Sequence, residues 1–199
     1  MRKIQFGCVL LLTLATSIFS AEKISLLTPN DGAVAPKIAP TTPAEVSFKQ
    51  IVDAGTGGLA VTIQHGKDKY PGVSITPEKP WDLSKFGYLE AHITNNSPQP
   101  LTLTLRVDND GDWTKSPWNT ETLKLSAEKS GTLRVVFGYS YGKPGYKLKA
   151  EAISKVLLFA GTSDLPQAFQ IDSLEAAGAP GENPPKTRAL FPTSPKTAS

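Results

Sequence analysis

The chain has 199 residues, a net charge of +3 from 21 basic and 18 acidic side chains, and only 39% hydrophobic residues. Its 16 glycines and 17 prolines exceed average usage, which is typical of turn-rich, strand-built proteins. This composition argues against a helix bundle, a coiled coil and collagen. The near balance of charge also argues against a nucleic-acid-binding protein, in which a clustered basic face is expected.

The first 21 residues have the pattern of a secretory signal peptide. Arg2 and Lys3 precede the short apolar run 9–15, and small residues follow up to Ser20 and Ala21, near which we expect cleavage. The run is too short to span a membrane, and no other segment predicts a span. Cleavage leaves 19 basic and 18 acidic residues and removes the only cysteine and the only methionine. The mature protein is therefore predicted to be secreted, periplasmic or on the cell surface, and free of disulfides.

The rest of the chain divides into three zones by composition. Residues 22–44 and 179–199 are rich in proline and lack strand or helix periodicity, which predicts a linker and a disordered tail. Residues 45–178 contain every tryptophan and every tyrosine, so this zone is the predicted folded domain.

The predicted domain is built of strands. Residues 101–107 alternate without a break between apolar and polar side chains, which is typical of an antiparallel strand with one buried face. Only 147–153 is compatible with a helical turn. About nine short strands separated by turns predict an all-β fold, an antiparallel β-sandwich of jelly-roll type. The predicted strands are 46–51, 59–64, 72–76, 89–93, 101–107, 120–125, 132–137, 153–160 and 169–176.

The common catalytic patterns are absent from the sequence. The only histidines are His65 and His92, and His92 occupies a polar position of a predicted strand, where we expect it to face solvent. Two histidines without a cysteine in the mature chain make a zinc site improbable. The glycines at 55–58 lack the lysine that a phosphate-binding loop requires, and they predict a hairpin turn. Eighteen acidic residues guarantee candidate carboxylate pairs, so a glycosidase is not indicated by their presence.

The segment 106–120 is the most informative for function. Acidic residues alternate at the end of a predicted strand, where they form either a solvated turn or a loop for a hard cation such as calcium. The adjacent tryptophans either pack in the core or form exposed platforms. The apolar C–H faces of sugar rings stack on such platforms, while polar groups bind the sugar hydroxyls. The candidate ligand-binding residues here are Arg106, Asp108, Asp110, Trp113, Trp118 and Asn119.

A second aromatic loop contains Tyr139, Tyr141 and Tyr146. Tyr139 and Tyr141 alternate and are expected to share a face, either for a ligand or for packing within a hairpin. Trp81 follows a proline and precedes Phe86, which favours a side chain packed in the core. We take the three tyrosines as further candidate ligand-binding residues.

The order of these segments resembles the non-catalytic, carbohydrate-binding-like jelly-roll domains attached to β-agarases and related bacterial glycoside hydrolases. The resemblance covers about residues 45–182 and implies a galactose-binding-like sandwich, often with a structural calcium ion near its first and last strands. It places Asp172 as a metal ligand, with Glu45 or Asp53 as its acidic partner. The segments that carry it are 81–84, 86–89, 93–95, 105–109, 131–135, 153–159 and 169–178.

Three functions follow as hypotheses. The first is a secreted, non-catalytic carbohydrate-binding module that recognises a polysaccharide or glycan through loop aromatics. The second is an envelope or surface protein-interaction module, and the third is a small jelly-roll enzyme that degrades polysaccharides. An associated glycoside hydrolase or envelope protein is a possible partner, and no nucleic-acid partner is expected.

Overall fold

A computed structural model describes residues 23–28, 34–53 and 56–185. The predicted signal peptide and most of the predicted tail lie outside the described residues. The described chain forms thirteen strands and two single-turn 3-10 helices, at Trp113–Lys115 and Ala150–Ala152. The strands are β1 (Ile24–Ser25), β2 (Lys37–Pro40), β3 (Val46–Asp53), β4 (Thr56–Ile63), β5 (Gly72–Thr76), β6 (Tyr88–Asn95), β7 (Leu101–Asn109), β8 (Trp118–Leu125), β9 (Ser130–Val136), β10 (Tyr139–Ser140), β11 (Lys143–Pro144), β12 (Ile153–Ala160) and β13 (Gln167–Ala177).

Two antiparallel sheets contain most of these strands. Sheet 1 has the order β3-β4-β13-β6-β9, with β1 paired to the last part of β13. Sheet 2 has the order β2-β5-β12-β7-β8, and β10 and β11 form a separate hairpin. The predicted all-β antiparallel sandwich is confirmed, and all nine predicted strands lie within or next to an observed one.

Alternating side chains create the core between the sheets. Leu101, Leu103, Leu105 and Val107 of β7 are fully buried, while the residues between them point to the opposite side of sheet 2. Burial of such aliphatic side chains contributes about 1.5–3 kcal/mol each, which makes this alternation the main source of stability. It also fixes which residues of sheet 2 remain on its outer face.

The strand directions define two ends of the sandwich. At one end β7 finishes at Asn109, β8 begins at Trp118 and β12 begins at Ile153, so we call this the Trp113 end. At the other end β12 finishes beside the start of β5, and Tyr70 immediately precedes β5, so we call this the Tyr70 end. The candidate residues from 106 to 120 and from 139 to 146 all lie at or near the Trp113 end.

The predicted linker 22–44 needs correction, because two of its segments are strands of the sandwich. β1 pairs with Glu175 and Ala176 of β13, and β2 pairs with β5 at the edge of sheet 2. Leu26 and Leu27 are buried in the core. Strands of two and four residues are too short to show a period, and Pro40 is tolerated because it ends an edge strand.

Leu26 gives a direct test of this correction. Leu26→Ala removes a side chain from the core and is expected to lower the free energy of unfolding by about 2–4 kcal/mol in urea titration. Val34→Ala is the matched control, because Val34 lies in the same predicted linker but is 67% exposed. The control is expected to change stability by less than about 0.5 kcal/mol. Equal and negligible effects of both changes would contradict the packing of this segment.

Candidate functional site

A groove of about 500 Å³ opens on the outer face of sheet 2 at the Trp113 end. Strands β5, β7 and β12 and the loop after β7 supply its walls. We call it the sheet 2 groove. Its lining includes Thr76, Pro77, Pro80, Arg106, Asp108, Asp110, Trp113, Ser154 and Lys155.

An ion pair forms the centre of the groove. Arg106 donates from Nε to Asp108 Oδ1 at 2.9 Å and from Nη2 to Oδ2 at 2.8 Å, a bidentate arrangement that fixes both side chains. The Arg106 guanidinium also lies 5.5 Å from the centroid of the Trp118 ring. Among the described residues these are the two hydrogen bonds of the Arg106 side chain, which leaves three of its five N–H donors without a protein acceptor.

The surroundings of Asp108 affect its ionisation. Burial raises the pKa of Asp108, and the hydrogen bonds and charge of Arg106, with the more distant charge of Lys155, oppose this effect. Ionised Asp108 therefore depends on Arg106, and Arg106 depends on Asp108 for its orientation. The pair presents a fixed array of donors and acceptors rather than two independent charges.

Trp113 is the exposed aromatic of the groove, with 70% of its surface accessible. It begins a 3-10 turn whose N-terminal residue, Asp112, accepts hydrogen bonds from the Thr114 amide and hydroxyl. These hydrogen bonds lower the pKa of Asp112. Ser116 then donates its amide to Trp113 O at 3.0 Å. The loop is thus closed by its own hydrogen bonds, and the Trp113 ring is left as a platform at the rim.

The other tryptophan of this segment has a different position. Trp118 is only partly exposed, and its indole Nε1 is buried without a hydrogen-bond partner among the described residues. The Trp118 ring packs against the Arg106 guanidinium and supports its orientation. Trp81 is partly buried and packs on the core, with two backbone hydrogen bonds to Ile153.

Asn119 does not contact the groove, which corrects its prediction as a ligand-binding residue. Its side chain is fully buried, accepts the Gly138 amide at 2.6 Å and donates to Tyr146 O at 2.9 Å. Asn109 holds the turn 149–152 in the same way, through both of its side-chain groups. The two amides satisfy backbone groups of two neighbouring loops that would otherwise be buried unpaired.

The three tyrosines, predicted as further ligand-binding residues, are not among the residues that line the groove. Tyr139 packs beside Tyr88 and donates its hydroxyl to Asn183 Oδ1 at 2.6 Å. Tyr141 and Tyr146 are exposed, and the Tyr141 amide binds Thr120 O at 2.9 Å beside the edge strand β8. The structure therefore brings together Arg106, Asp108, Asp110 and Trp113 and leaves the tyrosine loop outside the groove lining.

Several groove residues were missed by sequence reasoning. Thr76, Ser154 and Lys155 come from strands β5 and β12, which are distant in the sequence from the loop after β7. Lys155 pairs in register with Asp108, next to a bulge between Ile153 and Lys155. The outward position of Lys155 agrees with the alternation of β12, but its neighbours follow only from the strand order.

Two of the carboxylates predicted as metal ligands, Glu45 and Asp172, lie apart in the structure. Glu45 lies at the Tyr70 end and accepts the amides of Lys67 and Asp68 at 2.8 and 3.2 Å. Asp172 lies several residues further along the sheet and accepts hydrogen bonds from Thr94 and Gln170 at 2.8 and 2.7 Å. Glu45 and Asp172 thus do not fit one calcium site, and the Asp53 side chain lies outside the described residues. Asp108, Asp110 and Asp112 do not form a group of converging ligand atoms among the described residues, since Asp108 points to Arg106 and Asp112 caps the turn.

The carboxylates that do converge lie on the outer face of sheet 1. Glu90, Glu175 and His92 have ligand atoms within 4.8 Å of one another. Lys23 binds both glutamates at 3.1 Å, and Arg134 binds Glu90 at 2.7 Å, so the negative charge is already balanced by protein cations. His92 is 3.6 Å from Glu90 and nearly half exposed, in agreement with its predicted outward position. The cluster is therefore an ion-pair network of the sheet surface.

Solved structures of other proteins have a fold similar to that of this chain. An exo-β-agarase structure matches 74% of this chain with 15% identity and a TM-score of 0.52, and this chain spans only 23% of it. A family 11 carbohydrate-binding module of a Clostridium thermocellum cellulosomal cellulase matches 82% of this chain and 97% of its own, with 12% identity and a TM-score of 0.51. The same family's module in complex with a β-1,3-1,4-mixed-linked tetrasaccharide has 17% identity, covers 82% and 100% of the two chains, and has a TM-score of 0.50.

These matches confirm the resemblance at the level of the fold, the jelly roll shared by carbohydrate-binding modules and a domain of agarases. No protein-family model matches the sequence, and no curated protein is significantly similar to it. The part of the chain that the structure describes contains no helix with the length and hydropathy of a transmembrane span.

Glu90 provides a test of the ion-pair network. Burial by itself would raise the pKa of Glu90, but the hydrogen bonds and charges of Arg134 and Lys23 outweigh it and lower that pKa. A lowered pKa in the folded state gives stability that is present above the unfolded pKa of about 4.3 and is lost as the pH falls through the folded value. Glu90→Gln should therefore lower the free energy of unfolding by about 1–2 kcal/mol at pH 7, and by progressively less below about pH 4.

Urea unfolding of both proteins between pH 3 and pH 7 measures this difference. Thr102→Ala, an exposed change on the other sheet, serves as the control and should leave the pH profile unchanged. A difference between wild type and Glu90→Gln that is the same at pH 3 and pH 7 would contradict the network.

Proposed function

We propose that the protein is a non-catalytic carbohydrate-binding module, exported through the signal peptide predicted at residues 1–21, and that its ligand binds in the sheet 2 groove. The observation that carries the proposal is the combination of an exposed indole with a fixed polar array. Trp113 offers an apolar face at the rim, and the Arg106–Asp108 pair offers oriented donors and acceptors on the groove floor. Sugar rings present the matching chemistry, because they carry apolar C–H faces and a ring of hydroxyls.

The shape and fixation of the groove support the same proposal. The guanidinium is held by Asp108 on one side and Trp118 on the other, so little conformational entropy is lost when it binds a ligand. The fold agrees, since the matched module from Clostridium thermocellum was solved with a bound tetrasaccharide. The similarity to the agarase covers only part of that enzyme, and the agarase reaction is therefore not transferred to this chain.

The acidic residues of the groove favour binding over hydrolysis. A glycosidase requires one carboxylate as acid and a second as base or nucleophile. Asp108 is engaged by both of its oxygens with Arg106, and Asp110 is exposed to solvent. We expect no release of reducing ends from β-1,3-1,4-glucan or agarose, and release that Asp108→Asn abolishes would contradict a non-catalytic function.

Trp113→Ala tests the site. Loss of the exposed indole should weaken retention in an affinity gel containing β-1,3-1,4-glucan or agarose. Each 1.4 kcal/mol of stacking free energy that is lost raises Kd about tenfold. The melting temperature should not change, because the Trp113 ring is exposed. Tyr141→Ala is the matched control, since Tyr141 is exposed and does not line the groove. Loss of retention in Tyr141→Ala but not in Trp113→Ala would place the site outside the groove.

A structural calcium ion at Asp172 remains a second, separate proposal. It requires a partner other than Glu45, for which Asp53 is the remaining candidate from the resemblance. A ligand that binds only the folded state raises the melting temperature, so the proposal gives a lower melting temperature in EDTA than in calcium chloride. Asp172→Asn should remove the difference. Equal melting temperatures of the wild type in both buffers would contradict calcium binding.

A further inference from the structure

A second exposed aromatic lies on the same face of sheet 2, at the Tyr70 end. Tyr70 is 62% exposed, and its ring contacts the Phe159 ring edge to face, with centroids 5.4 Å apart and an interplanar angle of 76°. Phe159 points outward between the buried Leu158 and Ala160 of β12. The pair therefore forms an aromatic ledge on the surface rather than a part of the core.

The backbone around Tyr70 is firmly held. The Tyr70 amide donates to Asp68 Oδ1 at 3.0 Å, and Tyr70 O accepts the Thr41 hydroxyl at 3.1 Å. The Thr41 hydroxyl also accepts the amide of Gly72 at 2.8 Å. Gly72 lies opposite Phe159, where a Cβ would collide with Leu158 O and with the Phe159 backbone. An aromatic that is exposed on a fixed backbone is pre-organised for stacking, because its ordering cost is already met by the fold.

One continuous strip of outer face joins this ledge to the groove. Lys155, Leu157 and Phe159 alternate along the same side of β12, and their partners on β7 are Asp108, Arg106 and Thr104. Lys155 and Asp108 line the groove, while the Phe159 ring contacts the Tyr70 ring. Phe159 lies four residues beyond Lys155 along β12, a distance of about 13 Å. This length exceeds one sugar ring.

The charges of the groove restrict the class of ligand. Its charged lining consists of Arg106 and Lys155 with Asp108 and Asp110, which gives no net charge. A surface that recognises a polyanion would instead present an excess of cations. An uncharged ligand is therefore the better electrostatic match.

We propose that the strip on the outer face of sheet 2 between Trp113 and the Tyr70–Phe159 ledge is one extended binding surface for a linear, uncharged glycan. This inference rests on the proposed function and specifies its ligand as the interior of a chain of several sugar units. A sugar bound only at the Trp113 end would not reach Tyr70. Contact with Tyr70 therefore requires a longer oligosaccharide.

Calorimetric titration with oligosaccharides of increasing length tests the inference. The probes are a disaccharide, a tetrasaccharide and a hexasaccharide of the β-1,3-1,4-glucan series and of the agarose series. Wild-type affinity should rise at least about fivefold from disaccharide to hexasaccharide. Tyr70→Ala should abolish that rise and leave disaccharide affinity unchanged. Leu165→Ala is the control, because Leu165 is 58% exposed in the connection after β12, outside this strip, and should behave as wild type.

The outcomes separate this inference from the proposed function. Equal affinity of the wild type for all lengths, or a length dependence that Tyr70→Ala retains, would overturn the extended surface while leaving the Trp113 site intact. Failure of the wild type to bind either series would overturn the proposed function first and the inference with it. Tighter binding of polygalacturonate than of the neutral oligosaccharides would contradict the inference that the ligand is uncharged. Melting temperatures of the variants within a few degrees of wild type exclude unfolding as the cause of any loss.

Discussion

Every strand in the middle of a two-sheet sandwich must bury one face and expose the other, and the rest of this structure depends on that constraint. In β7 it sends Leu101, Leu103, Leu105 and Val107 into the core and leaves Arg106 and Asp108 on the outer face. The neighbouring strand β12 obeys the same alternation and brings Lys155 beside Asp108. The groove is thus a consequence of the pattern that stabilises the fold, and its polar floor is fixed to the core by the same backbone.

The outer side chains nevertheless require their own support, because a guanidinium and a carboxylate on a half-buried surface lose hydration. Arg106 and Asp108 compensate each other through two short hydrogen bonds, and Trp118 covers one side of the pair. Asn109 and Asn119 hold neighbouring loops at the same end by binding their backbone groups. The proposed ligand site therefore lies at the Trp113 end beside buried asparagines, whose hydrogen bonds hold the loops around it.

The sequence predicts the strands well and the site only in part. Alternation over five or more residues, as in 101–107, reveals a strand because the period is visible in the residues themselves. β1 and β2 have two and four residues, so their patterns were indistinguishable from a proline-rich linker. An asparagine in a polar segment can bind either a sugar or buried backbone groups, and the sequence does not show which groups surround Asn119. Thr76 and Lys155 were missed because only the order of strands in sheet 2 brings them next to Asp108.

We propose that a glycan binds at the sheet 2 groove through Trp113 and Arg106. Titration of the ¹⁵N-labelled protein with the β-1,3-1,4-mixed-linked tetrasaccharide or an agaro-tetrasaccharide, followed by NMR, tests it directly. We expect progressive shifts of the Trp113 indole N–H and the Arg106 Nε–H, with the backbone amides of 139–146 unmoved. Shifts confined to the tyrosine loop, or no shifts with either sugar, would contradict it.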